Sequence, residues 1–268
     1  MSFLNRAHVA LTTFSLALAI AGPVYAAQKV VPPDPTADKL MLTAGFLEHH
    51  QDMKYRLMGL EAYGKRDFEN ALRFFRRAGY FADKPSQGMV AEMYWKGEGT
   101  ARDPVQAYVW MDLAAERGYR GFLGLREQYW AALSEAERAR AVNEGQQIYA
   151  RYGDAAAKPR YEWQLRLGRK EIVGSRTGYT GNVQIEVPGP GGMQSIPGSK
   201  FYDERYWDAK KYWAWQDKVW MKPRIGRISI GEIEVTSKGA EATRIPQVAP
   251  QIDAPVPDVE EPVPPKTP

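Results

Sequence analysis

The stretch that decides the fold runs from Gln87 to Gly118 and reads QGMVAEMYWKGEGTARDPVQAYVWMDLAAERG. Its apolar residues recur every three or four positions on both sides of a glycine-containing break, which predicts two helices joined by a turn. Asp103 offers an N-cap carboxylate, and Pro104 suits the first helical position, where its missing N–H is not needed. The stretch therefore predicts a helical hairpin.

A related pattern precedes this hairpin. The offset between the two copies is 36 residues in the second helix, from Ala71 to Ala107, and 32 in the first helix, from Met58 to Val90. The four-residue difference falls in the loop between the paired helices, where a repeat tolerates a change of length. The repeat positions are Met58, Gly59, Ala71, Phe75 and Ala78 in the first unit and Tyr94, Gly97, Gly99, Asp103, Ala107, Trp110, Ala114, Ala115 and Gly118 in the second.

These residue types have a physical meaning at these positions. The alanines let paired helices approach closely, while Tyr94 and Trp110 fill the space beside them. Gly97 and Gly99 permit the left-handed backbone of a tight reversal. Each hairpin buries one face only, so neighbouring hairpins must cover the rest.

The pattern resembles the Sel-one-like repeat (SLR), a relative of the tetratricopeptide repeat (TPR). The second unit departs from the usual pattern at Val90, Ala91 and Thr100, where Leu, Gly and Val are usual. The first unit, 55–82, looks more like a TPR unit. The resemblance implies a short α-α hairpin solenoid that acts as an adaptor in protein complexes.

A degenerate third pair follows these two units. Leu123-Gly124 stands 33 residues after Val90-Ala91, and Ser134 with Glu137 has the spacing of a capping box. We expect a helix from there to about Tyr152 that closes the stack, so the resemblance spans roughly 55–152.

The beginning of the chain predicts export. Arg6 precedes an apolar stretch from Val9 to Ala21, and small residues at Val24 and Ala26 permit cleavage before Ala27. The apolar stretch is shorter than the ~20 residues that span a bilayer, so no stable membrane insertion is expected after cleavage. We therefore expect a periplasmic or secreted protein.

The composition predicts a mainly α fold of five segments. They are a signal peptide (1–26), a flexible lead-in (27–35), a helical repeat domain (36–157), a basic, aromatic-rich module with short strands (158–240) and a disordered Pro-rich tail (241–268). Pro159 marks the expected break after the repeats. Strand-like runs lie at 172–173, 183–187 and 228–235, and the glycines and prolines of 188–198 suggest a loop between strands.

Charge is spread unevenly along the 268 residues, whose net charge is +4. The repeat domain is balanced, whereas 158–240 has fifteen basic residues against nine acidic ones. The tail is acidic, with Asp253, Asp258, Glu260 and Glu261. The basic character therefore belongs to the C-terminal module.

Eight aromatic residues lie between Phe201 and Trp220. They form either the core of a small module or a stacking platform for a glycan or peptide. The seven-residue spacing of Tyr206, Trp213 and Trp220 favours one buried helical stripe. The residues of the alternative ligand surface are Tyr202, Trp207, Trp213, Trp215 and Trp220.

No residue pattern predicts catalysis, a cofactor or a metal. The chain has no cysteine, which excludes thiolate chemistry. His49-His50 followed by Asp52 lacks a third ligand at a suitable spacing. Gly189, Gly191 and Gly192 do not form a phosphate loop.

The function predicted from the sequence is an exported, non-enzymatic scaffold that binds another envelope protein or a peptide. Export argues against a nucleic-acid partner. The alternative is an envelope glycan-binding protein or hydrolase with its site in the aromatic module. That alternative requires at least two of four acidic residues to converge in a pocket beside exposed Trp rings. These residues are Asp203, Glu204, Asp208 and Asp217.

Overall fold

The computed structural model describes residues 35–170, 183–189, 191–221 and 243–257. The N-terminal helices and the first hairpin are α1 (Lys39–Thr43), α2 (Gln51–Gly64) and α3 (Phe68–Tyr80). Next come α4 (Lys84–Lys96), α5 (Pro104–Ala114), α6 (Arg120–Ala132), α7 (Glu135–Tyr152) and α8 (Asp154–Lys170). The C-terminal elements are β1 (Gln184–Gly189), β2 (Gly192–Pro197), α9 (Gly198–Phe201), α10 (Glu204–Trp207) and α11 (Ala209–Trp220).

Aspartate caps begin three consecutive helices of the repeats. The side chains of Asp67, Asp83 and Asp103 accept hydrogen bonds from backbone amides in the first turns of α3, α4 and α5. Each bond satisfies a donor that has no partner within its helix. The predicted helix start at Asp103-Pro104 is therefore confirmed.

The loops explain the changing offset between the two units. Three residues, 65–67, join α2 to α3, whereas seven residues, 97–103, join α4 to α5. Gly97 and Gly99 both adopt the left-handed conformation, with φ of 75° and 70°. Gly99 is also sterically required, because a Cβ atom there would lie 2.3 Å from the carbonyl oxygen of Phe68.

The predicted small and aromatic repeat positions form the core of the stack. Gly59 allows α2 to cross close to α3, since a Cβ atom there would lie 2.6 Å from the ring of Phe75. Met58 and Tyr94 are half-buried. The buried positions are Gly59, Ala71, Phe75, Ala78, Ala107, Trp110, Ala114 and Ala115.

Helix α7 covers the outer side of the repeats. It begins with the predicted capping box, in which Ser134 and Glu137 satisfy each other's backbone amides, and it packs against α5 and α3. Trp110 of α5 lies 4.7 Å from Tyr152 at the end of α7, measured between ring centroids. The prediction of a helix from Ser134 to Tyr152 is confirmed.

The break expected at Pro159 is wrong, because Pro159 lies inside α8. A proline in a helix interior removes one backbone hydrogen bond. Helix α8 continues nonetheless, since Tyr161 and Leu165 are buried on its inner face. Burial of that face overrides the local preference of the proline.

The C-terminal region contributes both a hairpin and helices. Strands β1 and β2 pair antiparallel, with Val187 and Ile196 buried. The loop expected at 188–198 is wrong in part, since β2 spans most of it. The helical stripe expected from Tyr206 to Trp220 is divided, because Asp208 ends α10 and caps α11.

A buried ionic cluster ties the second repeat to α8. The ammonium group of Lys84 lies 2.6 Å from Glu116 and 3.1 Å from Asp154. Arg117 forms a two-bonded pair with Asp154, at 2.7 and 2.9 Å. The pKa of Asp154 is lowered because the attraction of Lys84 and Arg117 outweighs the effect of burial. The cluster therefore connects segments that are far apart in sequence.

Within the tail expected to be disordered, residues 243–257 have a defined path along the repeats. The expectation of disorder is wrong for these residues, because Ile245 is buried and side chains of the stack bind the segment's backbone. The described residues all belong to one compact unit. The predicted signal peptide, the predicted strand-like runs at 172–173 and 228–235, and residues 258–268 lie outside the described residues.

Candidate peptide-binding groove

Residues 243–257, called the strap below, lie in a groove formed by α3, α5, α6, α7 and α8. The strap contains no helix or strand. Its prolines favour an extended, polyproline-like backbone. The amide of Gln251 donates a hydrogen bond of 2.7 Å to the carbonyl oxygen of Ala150. A turn interrupts the strap, since the amide of Ala254 donates to the carbonyl oxygen of Gln251 at 3.2 Å. The groove therefore holds a peptide without regular secondary structure.

Side chains of the helices bind carbonyl oxygens of the strap. Arg160 donates to two of them, at 2.8 and 3.0 Å, and Arg151 donates to a third at 2.6 Å. The hydroxyl of Tyr80 donates to a fourth. The accepting carbonyls belong to Gln251, Ile252, Ala254 and Pro255. Recognition of backbone carbonyls depends on the path of the peptide more than on its side chains.

Arg160 is the central residue of this contact. Its guanidinium lies over the ring of Tyr80, 3.6 Å from the ring centroid. It also donates to the carbonyl oxygens of Tyr80, the last residue of α3, and Arg151, in the last turn of α7. Arg160 of α8 thereby connects α3, α7 and the strap.

The other end of the strap is anchored by an isoleucine and an arginine. Ile245 is 2% exposed and lies against Gly145, where an added Cβ atom would be 2.5 Å from its Cδ1. Arg244 binds both carboxylate oxygens of Glu127, at 3.0 and 2.6 Å. Its guanidinium also lies over the ring of Trp130. These contacts give the groove a specific apolar pocket and a specific acidic partner.

Beneath this anchor lies a buried carboxylate. Asp112 accepts hydrogen bonds from the hydroxyls of Thr243 and Tyr149, and Arg126 lies 3.5 Å away. Burial raises the pKa of Asp112 despite these partners. Thr243 thus supplies part of the hydrogen bonding that a buried carboxylate requires.

An arginine-lined cavity of about 330 Å³ lies where the described strap ends. Arg73 and Arg76 of α3, and Arg151 and Tyr152 of α7, form one side. Pro255, Val256 and Pro257 of the strap form the other side. This cavity, called the arginine pocket below, can accept an anionic group.

The sequence reasoning missed this groove. It did not single out Tyr80, Arg151 or Arg160. The sequence feature that could have indicated the arginine pocket is the pair Arg73 and Arg76 in one helix, together with an acidic tail. The sequence alone does not bring those segments together.

The structure places the aromatic candidates mainly in the interior. Trp207, Trp213 and Trp215 are buried, whereas Tyr202 and Trp220 are half-buried. Trp207 donates to the carbonyl oxygen of Phe201 at 2.7 Å. Buried rings of this kind pack α10 and α11 against α2 and α8 and present little surface to a ligand.

The four acidic candidates are held by different partners. Asp203 pairs with Arg205, and Glu204 pairs with Lys211. Asp208 caps α11, and Asp217 accepts a hydrogen bond of 2.6 Å from Tyr119. Their arrangement is that of capping and ion-pair residues, and the convergence required by a hydrolase is not seen among them.

His50 and Asp52 lie in a buried polar cluster beneath α10 and α11. The two ring nitrogens of His50 face the carbonyl oxygens of Phe46 and Tyr206, at 2.8 and 3.0 Å. The Asp52 carboxyl accepts a hydrogen bond from Tyr212. Burial raises the pKa of Asp52 to about 6, and burial lowers the pKa of His50 to about 4. The cluster is therefore structural and sensitive to pH.

A second cavity, of about 460 Å³, lies between the N-terminal residues 35–41 and the segment 200–206. Four of its charged residues form two ion pairs, Lys200 with Asp38 and Arg205 with Asp203, each at 2.5 Å. Within the described ranges there is no group of three side chains suited to a metal ion. No helix in that same part of the chain is long and apolar enough to cross a membrane.

Comparison with known families agrees with the hairpin architecture. Residues 55–80 and 85–119 match the family model of the Sel1 repeat. They cover α2–α3 and α4–α5 respectively. A search of curated proteins found no match, and neither did a search of solved structures.

Proposed function

We propose that this chain, a Sel1-like repeat protein, is an exported, non-enzymatic scaffold of the bacterial cell envelope that binds a partner protein. Sel1 repeats generally mediate protein–protein interaction. The observation that carries the proposal is the groove, which already holds a peptide without helix or strand through its carbonyl oxygens. The partner we favour is an envelope protein with a segment of the same kind.

Export rests on the first 26 residues. Their charged start, apolar stretch and small residues before Ala27 are typical of a cleaved signal peptide. The test is cell fractionation followed by N-terminal sequencing of the mature chain. A mature chain beginning at Ala27 in the periplasm is expected, whereas an uncleaved chain in the cytoplasm would contradict export.

Partner binding is tested by crosslinked pull-down from envelope extract. The groove variant is Arg151→Glu with Arg160→Glu, which places carboxylates against peptide carbonyls. The control is Arg120→Glu, an exposed change of the same residue types at the start of α6. A partner retained by the wild type and the control but lost from the groove variant is expected. Equal retention by all three proteins would move the partner site away from the groove.

A further inference from the structure

We propose that the arginine pocket binds the carboxylates of Asp258, Glu260 and Glu261 of this same chain, so that 243–261 is an intramolecular ligand of the groove. The inference deepens the proposed function and rests on it, because it names the ligand class of the same groove. That class is a proline-spaced peptide without helix or strand, followed directly by acidic residues.

The pocket contains polar groups that lack partners. The Nε atoms of Arg76 and Arg151 and the hydroxyl of Tyr152 are buried, and no described residue forms a hydrogen bond with them. Buried donors are normally satisfied, and these three belong to residues that line one cavity, so an acceptor bound in that cavity is favoured. A carboxylate suits them, since guanidinium groups donate in a planar fork that matches its two oxygens.

All the charged residues that line the pocket are arginines, and the nearest described carboxylate, Asp253, acts on Arg160. Among the described residues, no ion pair joins Arg76 or Arg151 to a carboxylate. Arg160 lies nearby and donates to the carbonyl oxygen of Arg151. Several guanidinium groups close together repel one another, so an anion that neutralises them is favoured.

The chain's own acidic segment is the nearest source of that anion. Pro255, Val256 and Pro257 line the pocket, and Asp258 follows directly. At ~3.1 Å per residue in a polyproline-like backbone, the next four residues extend about 12 Å, which covers a cavity of this size. The tether also gives the segment a high effective concentration that a separate molecule must exceed.

The order of features defines the ligand class. Ile245 fills the apolar pocket beside Gly145, four backbone carbonyls bind Tyr80, Arg151 and Arg160, and the acidic residues follow. A partner segment with the same order would compete with the strap for the groove. Binding of a partner would therefore release 243–261.

Hydrogen exchange on the full mature chain tests the proposal. The readout is the exchange rate of the Gln251 amide, which donates to Ala150 when the strap is in place. The acidic variant combines Asp258→Asn, Glu260→Gln and Glu261→Gln. The control is Glu135→Gln with Glu186→Gln, which removes two exposed carboxylates far from the pocket in sequence.

We expect about fivefold faster exchange of Gln251 in the acidic variant and no change in the control, because a charge-assisted contact is lost. Raising the salt concentration should accelerate exchange more in the wild type than in the acidic variant, which retains only the Arg244–Glu127 pair of the strap. Arg76→Gln should accelerate exchange as the acidic variant does, and combining the two should add little. The proposal would be overturned if the Gln251 amide exchanged at the wild-type rate in the acidic variant. It would also be overturned if Arg76→Gln accelerated exchange by the same factor with and without the acidic substitutions.

The result is independent of partner capture. If the strap loosens as expected but no partner is retained by the pull-down, the intramolecular ligand stands and the scaffold function fails. If a partner is captured through the groove while exchange is unaffected by the acidic variant, the function stands and this inference fails.

Discussion

Replacing Asp52 by Asn is expected to stabilise the protein at pH 7.5 and to remove part of its pH dependence. Asp52 is 2% exposed, and burial raises the pKa of its carboxyl from 3.8 to about 6. Asp83 adds to this shift by repulsion, while Tyr212 and Arg56 oppose it. The folded protein therefore binds this proton more tightly than the unfolded chain does.

The magnitude follows from linkage. A rise of about two pKa units corresponds to about 3 kcal/mol, because each unit is worth ~1.36 kcal/mol. This contribution to stability is fully present below pH 3.8 and is lost as the pH rises through 6. By pH 4.5 about 2 kcal/mol of it has returned. Asparagine is uncharged and can still accept the hydrogen bond from Tyr212.

The assay is urea unfolding of both proteins between pH 4.5 and 7.5. The difference in unfolding free energy should favour the Asp52→Asn variant by about 2 kcal/mol more at pH 7.5 than at pH 4.5. Burial also lowers the pKa of His50 to about 4, so His50 contributes stability that is lost as the pH falls from 6.5 through 4. This contribution is the same in both proteins and cancels in the difference between them. Glu186→Gln, at an exposed site on β1, should show no such trend. A pH-independent difference between the wild type and the Asp52→Asn variant would refute the reasoning.

The remaining predictions concern the repeats, the strap and the C-terminal helices. Gly99→Ala should lower the unfolding free energy by ~3 kcal/mol and Gly118→Ala by only ~1 kcal/mol. Both glycines have a left-handed backbone, but only at Gly99 would the added Cβ atom lie 2.3 Å from a carbonyl oxygen. Equal losses for the two variants in urea unfolding would contradict this. Gly145→Ala should expose the strap to proteolysis, since its Cβ atom would lie 2.5 Å from Ile245, whereas Gly121→Ala has open space and should not. Truncation after Tyr152 removes α8 and α11 and should lower the thermal midpoint measurably; an unchanged midpoint would show that the repeats are independent of the C-terminal region.

The hairpins could be predicted because their determinants are local. The start of α5 depends on Asp103 and Pro104, which are adjacent in sequence. The start of α7 depends on Ser134 and Glu137, three residues apart. The offset between the units also reflects local loop length. Such signals can be read in any sequence window of about one helix.

The sequence-based predictions are wrong where burial against residues far away in the sequence outweighs a local conformational preference. Pro159 reads as a break, but the buried face of α8 keeps the helix intact. The composition of the proline-rich tail predicts disorder, but Ile245 is buried in a pocket beside Gly145, which lies one hundred residues earlier in the sequence. A segment of low hydropathy can be ordered by a few specific contacts when the groove that binds it is already formed.

The sequence by itself determined the helical hairpins, their caps and their repeat spacing, because these features depend on residues within one or two helical turns. Only the tertiary structure decided the groove, since Tyr80, Arg151 and Arg160 come from three helices and meet the strap only after the stack has folded. It also decided that Trp207 and Trp215 are core residues, because burial depends on which helices pack against them. The functional surface therefore depends on packing between distant segments, which sequence periodicity does not contain.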